Sequence, residues 1–288
     1  MSLPWEKRGI GAKIDWFGVH RMIKLIMTDM DGTLLDENGN LPPGFDEVMA
    51  ELKERGVLFA PCSGRQYFSL LRTFAGYEDD FLFLAENGTI VKYHDEEIFS
   101  CPMGREEALE VLEAATENPK AYRVFCGKKD AYILEEQDTD EFRDEFHKYY
   151  THYAAVKDFR EVEDEPIKIS LFDAGGRAME TIFPILQRFD GPMQVVGSSD
   201  WWVDVMAFGI NKGIAIQQVQ KRLGITPMEC AAFGDYLNDT EMMSSVYYSF
   251  AVENAHPKIK ELARFHTKSN AEYGVLHGIR ELMDKGLC

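Results

Sequence analysis

Five short apolar runs constrain this chain more than any other feature: KLIMT (24–28), VLFA (57–60), FLFLA (81–85), CAAF (230–233) and SFAV (249–252). Runs this short, without polar alternation, suit strands covered on both faces, as in a parallel sheet. Amphipathic stretches separate the first three. Phe45, Val48, Met49 and Leu52 fall at i, i+3, i+4 and i+7, a helical stripe that Gly56 can terminate. The segment around Phe68, Leu71 and Phe74 reads as a second helix. A βαβαβ rhythm of this kind predicts a parallel sheet with helices on both faces and ligands at the C-terminal strand ends.

The rhythm breaks after the hairpin-like stretch GTIVKYHDEEIFS (88–100). Between about residues 103 and 207 come a helix striped by Ala108, Val111, Leu112 and Ala115, strand-like AYRVF and AYILEE, a helix near Ala178–Arg188, and strands MQVVG and WWVDVMA. That mixture reads as an α+β insertion. Helices then alternate with strands again: helices at 213–223, 239–245, 257–264 and 274–284. The expected fold class is α/β, a Rossmann-like doubly wound parallel-sheet core with an inserted α+β cap domain. The core spans 22–102 and 208–288, and the cap 103–207. Residues 1–21 show no periodicity and read as a loosely ordered leader or tag-like extension.

Charge narrows the partners. Lys plus Arg is 31 against 49 for Asp plus Glu, a balance of 31 − 49 = −18. Such a field opposes binding to nucleic acid and to anionic membrane surfaces. No apolar stretch approaches the roughly 18 residues of a spanning helix. The five cysteines are scattered and lack a C-x-x-C pair, which favours reduced thiols in a cytoplasmic setting over a disulfide framework or a zinc site. His147 and His152 in HKYYTHY do not share a helical face and read as structural. A phosphate-bearing ligand would have to be caught by local cations.

Candidate chemistry gathers where the fold puts ligands. Asp29-Met30-Asp31-Gly32-Thr33 follows the first strand, setting two carboxylates two residues apart. The second strand ends in Ser63-Gly64-Arg65, a hydroxyl and a small-residue loop opening onto a helix start that favours anions. Asn211-Lys212-Gly213 sets a cation at a helix start, where the macrodipole disfavours it. In CAAFGDYLND, Asp235 stands at a strand end, with Asn238 and Asp239 entering the next helix. Singly, each motif also reads as a turn or a cap.

In this order, DMDGTLL, PCSGR, NKG and GDYLND resemble the four motifs of the haloacid dehalogenase superfamily, specifically its Cof-like phosphatases with a class IIB α/β cap. ENGT before the insertion, AVENAHPKIKELA and Glu272-Tyr273-Gly274-Val275 extend the resemblance over nearly all of 22–288. The resemblance implies Mg²⁺-dependent hydrolysis of small phosphate monoesters, sugar phosphates or similar phosphometabolites. Asp29 would be the nucleophile and Asp31 the general acid and base. Ser63, Gly64, Lys212 and Asn238 would hold the phosphate. Asp29, Asp31 through its carbonyl, Asp235 and, with lower rank, Asp239 would serve the metal, an oxygen-only site. Four carboxylates and a dianionic substrate also demand a cation on charge grounds alone.

The sequence departs from the family at Pro61-Cys62, where residues like Ala-Thr are frequent, and Ser63 replaces a frequent Thr, keeping the hydroxyl. Cys62 reads as a small buried residue, and Gly175-Gly176 as a turn. Arg123, Lys128, Lys129 and the Trp201-Trp202 pair are the insertion's candidates to meet the leaving group. A phosphomutase using the same aspartyl phosphate and a catalytically weak phosphometabolite-binding protein remain open alternatives. A dehalogenase is disfavoured, because it has no use for Asp31.

Overall fold

The computed structural model describes residues 22–288, so the leader expected at 1–21 lies outside the described residues. Strands β1 (Leu25–Thr28) and β2 (Leu58–Pro61) pair in parallel, with Leu25 opposite Leu58 and Thr28 opposite Pro61. β3 (Leu82–Ala85) continues the parallel run through the bridges Phe59–Phe81 and Cys62–Leu84. It then turns back through antiparallel β4 (Ile90–Tyr93) and β5 (Glu96–Ser100).

The inserted region builds a six-stranded sheet from β6 (Tyr122–Gly127), β7 (Ala131–Leu134), β8 (Tyr153–Val156), β9 (Pro166–Phe172), β10 (Met193–Gly197) and β11 (Trp202–Ala207). Its order is β10-β11-β9-β6-β7-β8, antiparallel except for the β7–β8 pair. The chain then returns to the first sheet through β12 (Cys230–Gly234), β13 (Tyr248–Ala251) and β14 (Phe265–His266), giving the parallel order β14-β13-β12-β1-β2. The architecture is therefore a parallel α/β core carrying an antiparallel cap.

Burial on both faces explains the apolar runs. Leu25 and Met27 pack toward Ala215, Ile216 and Val219 of the helix Lys212–Leu223. Ile26, on the other face, joins Phe45, Val48 and Leu52 of the helix Phe45–Glu54 and Ile279 of the helix Gly274–Asp284. Phe45, Phe59, Phe74 and Phe81 meet at ring-centroid separations of 4.9–6.5 Å. Truncating any one of these would cost about 3–5 kcal/mol. The chain leaves β1 toward β2 on one side and returns to β12 on the other. The crevice at their C-terminal ends is thus the switch point where such sheets hold ligands.

Several elements differ from the sequence reading, which names neither β8 nor β14. The helix expected near Ala178–Arg188 is two short turns, Ala178–Thr181 and Phe183–Leu186, broken at Ile182. Pro184 lacks the N–H that would continue the ladder. The helix Asp140–Tyr149 was not anticipated: Thr139 caps it, accepting from the Phe142 N–H, and Phe142 and Phe146 bury its apolar side. Nor was β9, although every one of its residues is buried. The Asp173–Gly176 stretch is a turn, with the Gly176 N–H donating to the Asp173 carbonyl at 3.0 Å and φ of Gly176 at +67°.

Candidate active site

Asp29 leaves the end of β1 with its N–H donated to the Phe233 carbonyl of β12 at 2.9 Å, which pins it beside the next strand. The following turn depends on Gly32, whose φ is +76°. A Cβ at that position would meet Asp235 Oδ2 at 2.6 Å, so only glycine lets the turn approach Asp235. Thr33 donates to Asp235 Oδ1 at 2.6 Å and fixes that carboxylate from below.

Lys212, fully buried at the first position of its helix, is the hub. Its Nζ lies 2.6 Å from Asp29 Oδ1 and 2.7 Å from Asp239 Oδ1. Asn211 caps the same helix by accepting from the Ile214 N–H at 2.9 Å. The lysine's unfavourable position at a helix start therefore has a local cause. Burial disfavours its charge, but Asp239 and Asp29 outweigh that and raise its pKa. Asp239 is equally committed, its Oδ2 accepting from the N–H groups of Asp235 (2.9 Å) and Tyr236 (3.3 Å).

Asp29, Asp235 and Asp239 each present an oxygen within 4.8 Å of the others. One lysine against three carboxylates leaves the cluster short of positive charge. Burial pushes Asp29 well above the ordinary carboxylate range, with Asp239 and Asp235 adding to the rise against Lys212. Burial and the Asp239 charge push Asp235 up to about 7. The set is oxygen-only, crowded and electron-rich, and it fits a hard divalent cation.

Asp31 lies apart from this cluster. Its carboxylate is gripped by Arg65, Nε to Oδ2 at 2.8 Å and Nη2 to Oδ1 at 2.5 Å, and Arg65 in turn lies over the Tyr149 ring. Ser63 is buried, with its N–H donated to the Leu84 carbonyl at 3.0 Å and its Oγ accepting from the Arg65 N–H at 3.2 Å. A Cβ on Gly64 would come within 3.2 Å of the Asn87 side chain, so glycine permits the loop's close contact with that residue. Asn238 donates to Asn87 Oδ1 at 3.2 Å. Asp29, Asp31, Ser63, Gly64, Asp235 and Asn238 all line one cavity of about 160 Å³, roofed by cap residues.

Sequence reasoning missed the contacts joining core to cap. Glu86 and Asn87, consecutive non-glycine residues at φ +52° and +57°, carry left-handed backbone strain after β3. Their N–H groups reach the carbonyls of Arg65 (3.0 Å) and Ser63 (2.9 Å), tying this turn to the phosphate loop. From β9, the buried Lys168 pairs with Glu86 at 2.6 Å and donates to the Gly64 carbonyl at 2.7 Å. Asp204 of β11 accepts from Asn87 Nδ2 at 2.6 Å and from the hydroxyls of Ser170 and Ser198. Alternation in PIKISLF, with Ile167, Ile169 and Leu171 on one face and Lys168 and Ser170 on the other, was the available signal.

Of the insertion's candidates, only Trp202 lines the cavity. Lys128 pairs with Glu97 and Glu165, Arg123 approaches Glu136 at 3.8 Å, and Trp201 stacks on Phe172. The Cys62 thiol is buried, and burial pushes its pKa up to about 12, which keeps it protonated. His152 stacks on Phe68 at 4.1 Å.

A parallel α/β sheet with acidic strand ends, a buried lysine and a roofing cap defines a capped α/β enzyme of the hydrolase type. Residues 26–279 match the family model for haloacid dehalogenase-like hydrolases, so the chain belongs to that family. A curated relative, 5-amino-6-(5-phospho-D-ribitylamino)uracil phosphatase YbjI of Escherichia coli strain K12, is 30% identical over 91% of this chain and 96% of its own length. An HMP-PP phosphatase of Serratia proteamaculans is 26% identical over 84% of this chain and 88% of that protein. The crystal structure of SMU.1108c from Streptococcus mutans UA159 superposes with a TM-score of 0.83 at 26% identity, covering 91% of this chain and 99% of that one.

Proposed function

We infer that this protein is a phosphatase of small phosphorylated metabolites, hydrolysing their monoesters by way of a phosphoryl group carried on Asp29. The observation that carries the reading is Lys212 Nζ bridging Asp29 and Asp239 beside Asp235, a cation-poor acidic cluster at the sheet's switch point. The relatives' names, which specify phosphorylated small molecules, support the substrate class.

Lys212 fixes the Asp29 carboxylate through Oδ1 for attack on phosphorus. As the bond between Asp29 and phosphorus forms, the bond to the leaving oxygen breaks, and that oxygen takes a proton from Asp31. Asp31 then removes a proton from water. The water oxygen attacks phosphorus, the Asp29–phosphorus bond breaks, and inorganic phosphate departs. Arg65 holds both oxygens of the Asp31 side chain at the wall of the same cavity. Ser63, the N–H groups of its loop and Lys212 would hold the phosphoryl oxygens as charge shifts among them.

Asp29, Asp235 and the Asp31 carbonyl would hold Mg²⁺, with Asp239 acting through Lys212 and the Asp235 N–H. Bound there, the ion would supply Lewis-acid polarisation of the phosphoryl group and neutralise its charge. The absence of paired cysteines among the described residues supports the cytoplasmic setting.

The test is phosphate release from a panel of sugar, polyol and nucleotide phosphates, with Mg²⁺ and with chelator. Steady release from a single ester that stops on chelation is expected, and it also separates hydrolysis from transfer to a second hydroxyl. A panel without release above background would refute the reading.

A further inference from the structure

We propose that Lys168 of the cap is a positioning residue for phosphoryl capture: by holding the Gly64 carbonyl it fixes the orientation of the Ser63–Arg65 loop, so that the core's anion site is complete only while the cap is docked. The inference rests on the phosphatase reading above and deepens it.

Every carbonyl of that loop is occupied. The Ser63 carbonyl accepts from the Asn87 N–H at 2.9 Å, the Arg65 carbonyl from the Glu86 N–H at 3.0 Å, and the Gly64 carbonyl from Lys168 Nζ at 2.7 Å. A trans peptide points its N–H and its carbonyl in opposite directions, so tying the carbonyls turns the paired N–H groups the other way. The Gly64 N–H has no acceptor among the described residues, and Gly64 is partly exposed on the cavity wall. The Arg65 N–H, in the peptide whose carbonyl Lys168 holds, donates to Ser63 Oγ at 3.2 Å. A serine oxygen that accepts there keeps its own proton for a phosphoryl oxygen. Were the Gly64–Arg65 peptide to rotate, a carbonyl would replace a donor beside the incoming anion, and Ser63 would lose the group that orients it.

The ties differ in origin. Those from Glu86 and Asn87 are backbone groups of the core, in the strained left-handed turn after β3. The tie between them is a side chain of the cap, on β9, and it is 1% exposed. Burial disfavours the lysine's charge, but Asp204 at 3.7 Å and Glu86 at 2.6 Å outweigh that. A buried ion pair often adds little stability over apolar side chains of the same size, so packing does not call for a lysine here. Donation to the Gly64 carbonyl is a task that an apolar residue cannot perform. Because the donor belongs to the cap and the acceptor to the core, cap docking and the shape of the phosphate loop form one equilibrium.

The experiment combines Lys168→Met with Glu86→Gln, which removes the donor to Gly64 without leaving Glu86 as a buried unpaired charge. Inorganic phosphate, titrated calorimetrically with Mg²⁺ present, should bind this double variant about tenfold more weakly than wild type, even though urea unfolding shows stability regained over Lys168→Met alone. Phosphate affinity that recovers together with stability would mean that Lys168 merely packs and would overturn the proposal. A wild type that binds no phosphate would overturn it as well. Should the variant not fold, hydrogen exchange on the wild type takes its place. Phosphate should then slow exchange of the Thr151 and His152 amides, which the cap donates to Gln66 Oε1 of the core, more than exchange in β13. Equal slowing in both places would contradict the coupling. Phosphate release from the ester panel is read separately: none from any ester, with the phosphate affinities as expected, fails the phosphatase reading and leaves the role of Lys168 standing.

Discussion

The core and the cap bury polar groups in different ways. In the core, carboxylates from two strand ends and the start of a following helix crowd around one lysine, and Asp29 and Asp235 ionise reluctantly as a result. In the cap, Lys168 and Asp204 are also buried, but hydroxyls, an amide and a backbone carbonyl satisfy them. The first arrangement is short of positive charge and suited to a cation and a phosphoryl group. The second is balanced and holds the roof over the phosphate loop. Burial alone therefore does not mark a reactive group; unsatisfied charge does.

The contrast can be broken in several places. The largest effect is expected for Asp29→Asn, which should lower kcat by about 10³-fold or more while leaving the circular dichroism spectrum intact, since the amide keeps the shape but is a poor nucleophile. Lys212→Met should cost about 3–5 kcal/mol in denaturant unfolding, because Asp29 and Asp239 lose their shared partner. A loss below about 1 kcal/mol would show that the acidic cluster does not depend on it. Lys168→Met should destabilise by a comparable or smaller amount, and Glu86→Gln in the same chain should recover part of the loss. Strict additivity of the two would contradict a coupled core–cap pair.

The smallest expected effect is in pH dependence. Asp235 holds its proton in the fold up to about pH 7, whereas an unfolded aspartate releases it near 3.8. Between those values the folded state binds more protons, so stability falls as pH rises through that window. Asp235→Asn should flatten the slope of melting temperature against pH from 5 to 8 in metal-free buffer. Added Mg²⁺ should raise the melting temperature of the wild type more at pH 8 than at pH 6, because the ion competes with that proton. A Mg²⁺ effect independent of pH would count against carboxylate ligation.

The core's site could be read from the sequence because each of its parts follows a short apolar run or opens a helix: Asp29, Ser63, Lys212 and Asp235 sit at fixed places in the βα rhythm. The cap's contribution was scattered over β9, the Ser198-Ser199 turn and β11, so no local motif announced it. Lys168 and Asp204 meet Glu86 and Asn87 only after the antiparallel sheet forms. The Asp31–Arg65 pair was equally hidden, since nothing in SGR distinguishes a guanidinium facing solvent from one clamping a carboxylate. Trp202 stood among the candidates, but an alternating strand gives no sign of which of its side chains will line a cavity.

The most direct test of the central claim is chemical trapping during turnover. The enzyme, quenched in acid while hydrolysing its best substrate with Mg²⁺, would be treated with borohydride, which reduces an aspartyl phosphate to homoserine, and digested for mass spectrometry. Homoserine at position 29, absent without substrate, is the expected result; turnover with aspartate intact at position 29, or homoserine at another acidic position, would contradict it.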